Sequence, residues 1–124
     1  MISFAGLEMD PYRPVYLQLA DHVKRQILLG TARDGEELPS RREIAAQVGV
    51  NPNTVQKAYR LMEEEGYVVT EGNRPSTIRL TPELRAQIEE ELCTGLVRHF
   101  VAEARRNRIS YKRAIELLSR EWDE

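Results

Sequence analysis

At 124 residues and a net charge of −2, the chain has room for one domain, or for a small domain with an appendage, around a modest core. Its 18 basic and 20 acidic residues are too evenly balanced for a basic tail or a histone-like packager. The lone Cys93 excludes an intramolecular disulfide and, with only His22 and His99 beside it, leaves too few ligands for a zinc site.

No apolar run approaches the roughly 18 residues of a membrane span. The N-terminus lacks the charged start and apolar core of a secretory signal, so the expected location is cytoplasmic. Residues 1–13 read as a loose lead-in. Pro14 can begin a first helix, where its missing N–H costs nothing, and Gly30 is a natural stop. Between them Tyr16, Leu19, Ala20, Val23 and Ile27 form an apolar stripe. A turn-rich stretch from Thr31 to Glu37 follows.

Ser40, with Glu43 three residues on, makes a capping box that opens a second helix. Ile44, Ala45 and Val48 face inward, and Gly49 turns the chain. Asn51 caps a third helix with Pro52 at its first position, and Val50 and Val55 have the spacing of a hydrophobic staple. In this helix Val55, Ala58, Tyr59 and Met62 recur at i, i+3, i+4, i+7. Asn53, Gln56, Lys57 and Arg60 recur at the same spacing on roughly the opposite face. That outward face has amide and cationic groups and no carboxylate, which suits base edges and the phosphates beside them. From Leu38 to Arg60 four bases (Arg41, Arg42, Lys57, Arg60) stand against one acid, Glu43.

Gly66 ends the third helix. Residues 67–70 and 77–80 read as short strands about a turn, Glu71 to Ser76. Three helices and a hairpin describe a winged helix-turn-helix. Thr81-Pro82-Glu83 then opens a long helix bearing Leu84, Ile88, Leu92, Leu96, Phe100 and Ala104, with Val97 and Val101 widening the stripe. Arg105, Arg106 and Arg108 fall near its C-terminus, where positive charge suits the helix dipole. Ser110 caps a last helix with Ala114, Leu117, Leu118 and Trp122. The expected fold is therefore mostly α with a small β-hairpin: a winged helix-turn-helix domain at 14–80 and a two-helix C-terminal dimerisation arm at 81–124. The single long helix has little local core, and leaving its large side chains bare forfeits roughly 1.5–3 kcal/mol each. A partner chain is the economical explanation, with Leu84, Ile88, Leu92, Leu96, Phe100, Leu117, Leu118 and Trp122 as its contacts.

The run LPSRREIAAQVGVNPNTVQKAYRLMEEEGYV from Leu38, with Pro14-Val15-Tyr16-x-Gln18-Leu19 and Ile27-x-x-Gly30 upstream, is similar to the N-terminal domain of the GntR family of bacterial transcription regulators. The tail, about 44 residues, is too short for the larger effector or oxygen-binding domains of most members, and far too short for an aminotransferase-like domain. Two helices after the wing resemble the YtrA-type subfamily, in which they form a dimerisation arm. The resemblance implies a homodimeric DNA-binding regulator, a repressor by preference, on an inverted-repeat operator. It also implies a DNA contact by Arg42 at the start of the second helix.

On that reading Ser40 is a cap first, compatible with phosphate, and Arg41 and Asn51 lie beside the same helix starts. Asn53 or Gln56 can read base edges, Thr54 can bond phosphate, and Lys57 and Arg60 meet the backbone. In the wing, Gly72 and Arg74 are the expected contacts, although Gly72-Asn73-Arg74-Pro75-Ser76-Thr77-Ile78 departs from the family's Gly-x-Gly-Thr-aromatic run. No catalytic residue, metal site or cofactor is expected. Glu63, Glu64 and Glu65 read as a solvated face, and Cys93 and His99 do not share a helical face. No effector ligand is specified. The rival class is a winged-helix protein–protein adaptor that binds no operator.

Overall fold

The computed structural model describes residues 2–123. Its elements run α1 (Val15–Leu29), α2 (Arg41–Val48), α3 (Pro52–Glu65), β1 (Val68–Val69), β2 (Thr77–Ile78), α4 (Pro82–Arg106) and α5 (Tyr111–Trp122). The expected mostly helical fold with a small hairpin is what forms. Pro14 is the N-cap of α1 rather than its first helical residue. Gly30, Gly49 and Gly66 end α1, α2 and α3 in the left-handed conformation that favours glycine.

Helix α3 is the centre of the first three helices, packing on α1, on α2 and on β1. Its stripe Val55, Ala58, Tyr59 and Met62 is wholly buried, as are Leu19, Ala20, Val23 and Ile27 of α1 and Ile44 and Ala45 of α2. Each large side chain removed from water in this way contributes on the order of 1.5–3 kcal/mol before entropy is counted. The hairpin is antiparallel, with Val68 opposite Ile78 and Val69 opposite Thr77. The stretch that reads as turns does more than turn. Glu37 bridges to Thr77, the Gly35 N–H donates to the Ile78 carbonyl at 2.7 Å, and the Leu38 N–H donates to the Ser76 carbonyl at 2.8 Å. The backbone of β2 is thus bonded on both sides, and the entry to α2 is fastened to the wing.

The N-terminal segment is not loose. Ile2 and Phe4 are buried, Phe4 to 2% exposure. The Phe4 ring lies 5.0 Å from that of His22, whose Nε2 is 2.6 Å from the Ser3 carbonyl. Gln18, buried on α1, accepts from the Asp10 N–H at 2.7 Å and donates to the Asp10 and Arg13 carbonyls. Hydropathy missed this because the two apolar residues are isolated in a polar stretch, and the fastening groups are backbone atoms and one amide.

Two compact units divide inside α4, one running to Glu89 and the other from Glu90. The sequence-based boundary at residue 81 differs because the first turns of α4 are tied to the first unit. The Arg85 guanidinium donates to the Leu28 carbonyl at 3.3 Å, and Ile88 is 2% exposed. In the second unit Ser110 caps α5, accepting from the Arg113 N–H at 3.1 Å.

Phe4→Ala is expected to lower stability by about 3 kcal/mol in urea unfolding, because it empties a filled core position. Tyr12→Ala, at a side chain 92% exposed in the same segment, is expected to change it by less than about 0.5 kcal/mol.

Candidate nucleic-acid interface

The outward face of α3 begins with its cap. The Asn51 side-chain oxygen accepts from the Asn53 N–H at 2.7 Å, which leaves the Asn51 amide hydrogens as donors. Asn53 and Arg60 are exposed, and their side chains make no hydrogen bond or ion pair among the described residues. Lys57 is held: its ammonium lies 4.1 Å from the centroid of the Tyr16 ring, a cation–π contact. Tyr16, Pro14 and Val15 line an open depression with Asn53, Thr54 and Lys57. The start of α1 therefore contributes to this face. The sequence signal was present in Pro14-Val15-Tyr16, but spacing alone gives Tyr16 to the core stripe; it is in fact half-buried.

At the start of α2 the capping box is complete. The Ser40 hydroxyl accepts from the Glu43 N–H at 3.1 Å and the Glu43 carboxylate accepts from the Ser40 N–H at 3.3 Å. Ser40 keeps its own hydroxyl proton as a donor. The two adjacent arginines then part company. Arg42 is exposed, with no hydrogen bond or ion pair among the described residues. Arg41 is pinned: its Nε donates to the Gln56 Oε1, its Nη2 lies 3.5 Å from the Glu63 carboxylate, and its guanidinium sits 4.3 Å from the centroid of the Tyr59 ring.

Tyr59 is buried, and its hydroxyl donates to the Pro39 carbonyl. Burial pushes its phenol above the ordinary value near 10; the Arg41 guanidinium opposes the shift and the Glu43 carboxylate adds to it.

Glu63 and Glu65 are not merely solvated. Glu63 pairs with Arg41 and also accepts from the Thr70 hydroxyl at 3.1 Å. Glu65 lies 3.1 Å from the ammonium of Lys24, a buried lysine on α1. Helical spacing shows that the three glutamates splay, but not which neighbouring element meets each of them.

The wing is closed from within. Ser76 is buried, and its hydroxyl bonds that of Thr70 across the hairpin. The departure from the usual glycine is thereby accommodated. Gly72 takes a φ of 56°, and the Arg74 N–H closes the turn on the Glu71 carbonyl at 3.1 Å. The Arg74 guanidinium meets Glu71 only at 4.0 Å, with both side chains largely exposed, so this pair constrains little. Asn73, Arg74 and Pro75 line one groove with Ser40, Arg41 and Tyr59, which brings the wing beside the start of α2.

On the arm, exposure changes along the stripe. Leu84 and Leu92 are half-buried and Ile88 is buried, so Ile88, expected as a partner contact, is already covered within its own chain. Leu96 is 73% exposed, and Val97, Phe100 and Val101 are exposed beyond it. On α5 Leu117 is half-buried, Ile115 and Leu118 are exposed, and Trp122 is 83% exposed.

Helices α2 and α3 joined through Gly49 and followed by a two-stranded wing define a winged helix-turn-helix DNA-binding domain. Residues 15–78 match the profile of the bacterial regulatory proteins of the gntR family. The chain belongs to that family, whose members are DNA-binding transcription regulators and not enzymes. It is 35% identical over 89 residues to the uncharacterized HTH-type transcriptional regulator YhcF of Bacillus subtilis (strain 168), covering 72% of this chain and 74% of that protein. It is 41% identical over 66 residues to the HTH-type transcriptional repressor YtrA of the same organism, covering 52% of this chain and 51% of YtrA. A solved GntR family transcriptional regulator from Listeria monocytogenes superposes with a TM-score of 0.80 at 27% identity, covering 90% of this chain and 98% of that one. No helix of the described residues is long and apolar enough to cross a membrane.

Tyr59→Phe leaves the Pro39 carbonyl without its donor and is expected to cost about 1–2 kcal/mol in urea unfolding at pH 7. Because folding raises the phenol's pKa, the unfolded chain loses that proton first. Stability is then unaffected by this group below about pH 10 and falls as pH rises above it, by up to about 1.4 kcal/mol per pH unit. The alkaline decline of Tyr59→Phe should be shallower than that of wild type by this contribution.

Proposed function

We propose that the protein is a homodimeric transcriptional repressor that binds an inverted-repeat operator, each subunit laying α3 in a major groove. The observation that carries this reading is the division of α3. One face is wholly buried, while the opposite one keeps Asn53, Lys57 and Arg60 in solvent, and α2 adds an exposed, unpaired Arg42. As far as Arg60, such a face offers donors to base edges and phosphates and no carboxylate to repel them. Ser40, Asn51, Thr54 and, from the wing, Gly72 and Arg74 join this surface as backbone-positioning contacts.

The dimer reading is supported by apolar side chains left partly or largely in solvent: Leu96, Val97, Phe100 and Val101 on α4, and Leu118 and Trp122 on α5. Two-fold pairing of such arms presents two recognition helices, and a two-fold dimer reads an inverted repeat. The repressor assignment is supported by the similarity to YtrA of Bacillus subtilis, which is named a transcriptional repressor.

In shift assays on the promoter of its own operon, affinity is expected to fall steeply with salt. Arg42→Ala is expected to weaken binding by about 1–3 kcal/mol where the contact is base-specific. An Arg42→Ala protein that binds as tightly as wild type removes Arg42 from the interface. A wild-type protein that shifts no DNA at low salt would instead be a protein–protein adaptor.

Sedimentation at micromolar concentration is expected to give a dimer, and Leu96→Asp with Phe100→Asp a monomer whose first unit keeps its helical circular dichroism. A wild-type monomer, or a dimer indifferent to both substitutions, contradicts the arm's assignment.

A further inference from the structure

We infer that Arg41 is a positioning residue for base readout: it holds the Gln56 amide in one orientation and so fixes the order of donor and acceptor that α3 shows to DNA. The inference rests on the proposed DNA reading and deepens it.

A glutamine on a solvated helix face can turn its amide over at little cost, exchanging oxygen for nitrogen. Gln56 has no such freedom. A guanidinium carries only donors, so the amide atom facing the Arg41 Nε has to be Oε1. Both Nε2 hydrogens are then left without an intrachain partner among the described residues. The amide oxygen keeps one lone pair, while its nitrogen stands as the free donor. A donor held there favours an acceptor in the major groove, such as N7 of a purine, O6 of guanine or O4 of thymine. It disfavours the amino group of cytosine.

The hold on Gln56 is only as firm as the hold on Arg41, and Arg41 is fixed from three directions. Its Cζ lies over the Tyr59 ring at 4.3 Å from the centroid, its Nη2 faces Glu63 at 3.5 Å, and its Nε meets Gln56. Each support is anchored in turn. Tyr59 is buried with its hydroxyl on the Pro39 carbonyl, and Glu63 accepts from Thr70 at the wing. The side chain of Arg41 is 33% exposed and its charge faces a carboxylate. Both features make it a poor phosphate ligand beside the unpaired Arg42.

The test is selection of bound sequences from random duplex DNA with the full chain, together with the salt dependence of the best sequence. Wild type, Arg41→Met, Gln56→Ala and the double variant are compared. Arg41→Met is expected to keep most of the selected motif but to flatten one base pair per half-site, the same pair that Gln56→Ala flattens. Discrimination there should fall from about tenfold or more to about two- to threefold, with an unchanged salt slope. The double variant should lose no more than Gln56→Ala alone, since the two residues act as one unit. Arg41→Lys, which keeps the charge without the planar fork, should flatten the same pair and serves if Arg41→Met lowers the melting temperature.

The inference is overturned if Arg41→Met weakens all sequences alike and reduces the salt slope by about two per dimer, the mark of a phosphate ligand in each subunit. It is also overturned if the flattened pair is one that Gln56→Ala leaves sharp. Failure of the wild type to enrich any sequence overturns the DNA reading itself, which separates the two failures.

Discussion

Tyr59 meets two demands that ordinarily conflict: its ring completes the buried stripe of α3, and its hydroxyl reaches the backbone just before α2. A phenol so deeply buried is tolerated only with a partner for its O–H, and the Pro39 carbonyl is that partner. The angle at which α2 meets α3 therefore depends on more than apolar contact, which is non-directional. A hydrogen bond across the junction adds direction. Arg41, lying on the outer face of the same ring, transmits that fixed geometry to Gln56 and Glu63.

Charge is then distributed around this scaffold in a way that net charge conceals. Of the bases on α2 and α3, Arg41 faces Glu63 and Lys57 is seated on Tyr16, while Arg42 and Arg60 stay unpaired in solvent. Acidic groups on the far end of α3 are drawn into contacts with α1, α2 and the wing, through Lys24, Arg41 and Thr70. Long-range attraction to a polyanion is set by this arrangement rather than by the total of −2.

Much of the frame was legible because it is written in local chemistry. Caps at Ser40, Asn51 and Ser110, glycine stops at Gly30, Gly49 and Gly66, and the stripe from Val55 to Met62 all follow from short spacings with a definite stereochemical meaning. What escaped depends on contacts distant in sequence. Burial of Ile2 and Phe4 needs α1 to receive them, and pairing of Glu37 with Thr77 needs the hairpin to return. The separation of Arg41 from Arg42 is the sharpest case. The two residues are neighbours and chemically identical, yet one is pinned by residues 15, 18 and 22 positions away and the other is not. No local rule could assign them different work.

The arm is legible for a related reason, and energy arguments connect it to the recognition helix. A good bidentate contact discriminates between bases by about 1–3 kcal/mol, whereas specific binding generally exceeds non-specific binding by about 4–10 kcal/mol. On the proposed reading, α3 offers Asn53 and Gln56 as its base readers. Two such contacts reach only the lower part of that range. A second copy doubles them without any new residue. The apolar stripe of α4 is covered at Ile88 and again at Ala104, but between them Leu96 and Val97 stand mostly in solvent and Phe100 and Val101 keep more than a third of their surface exposed. On the proposed dimer reading, thrift in the recognition surface and the exposed apolar surface of the second unit call for the same partner, a second copy of this chain.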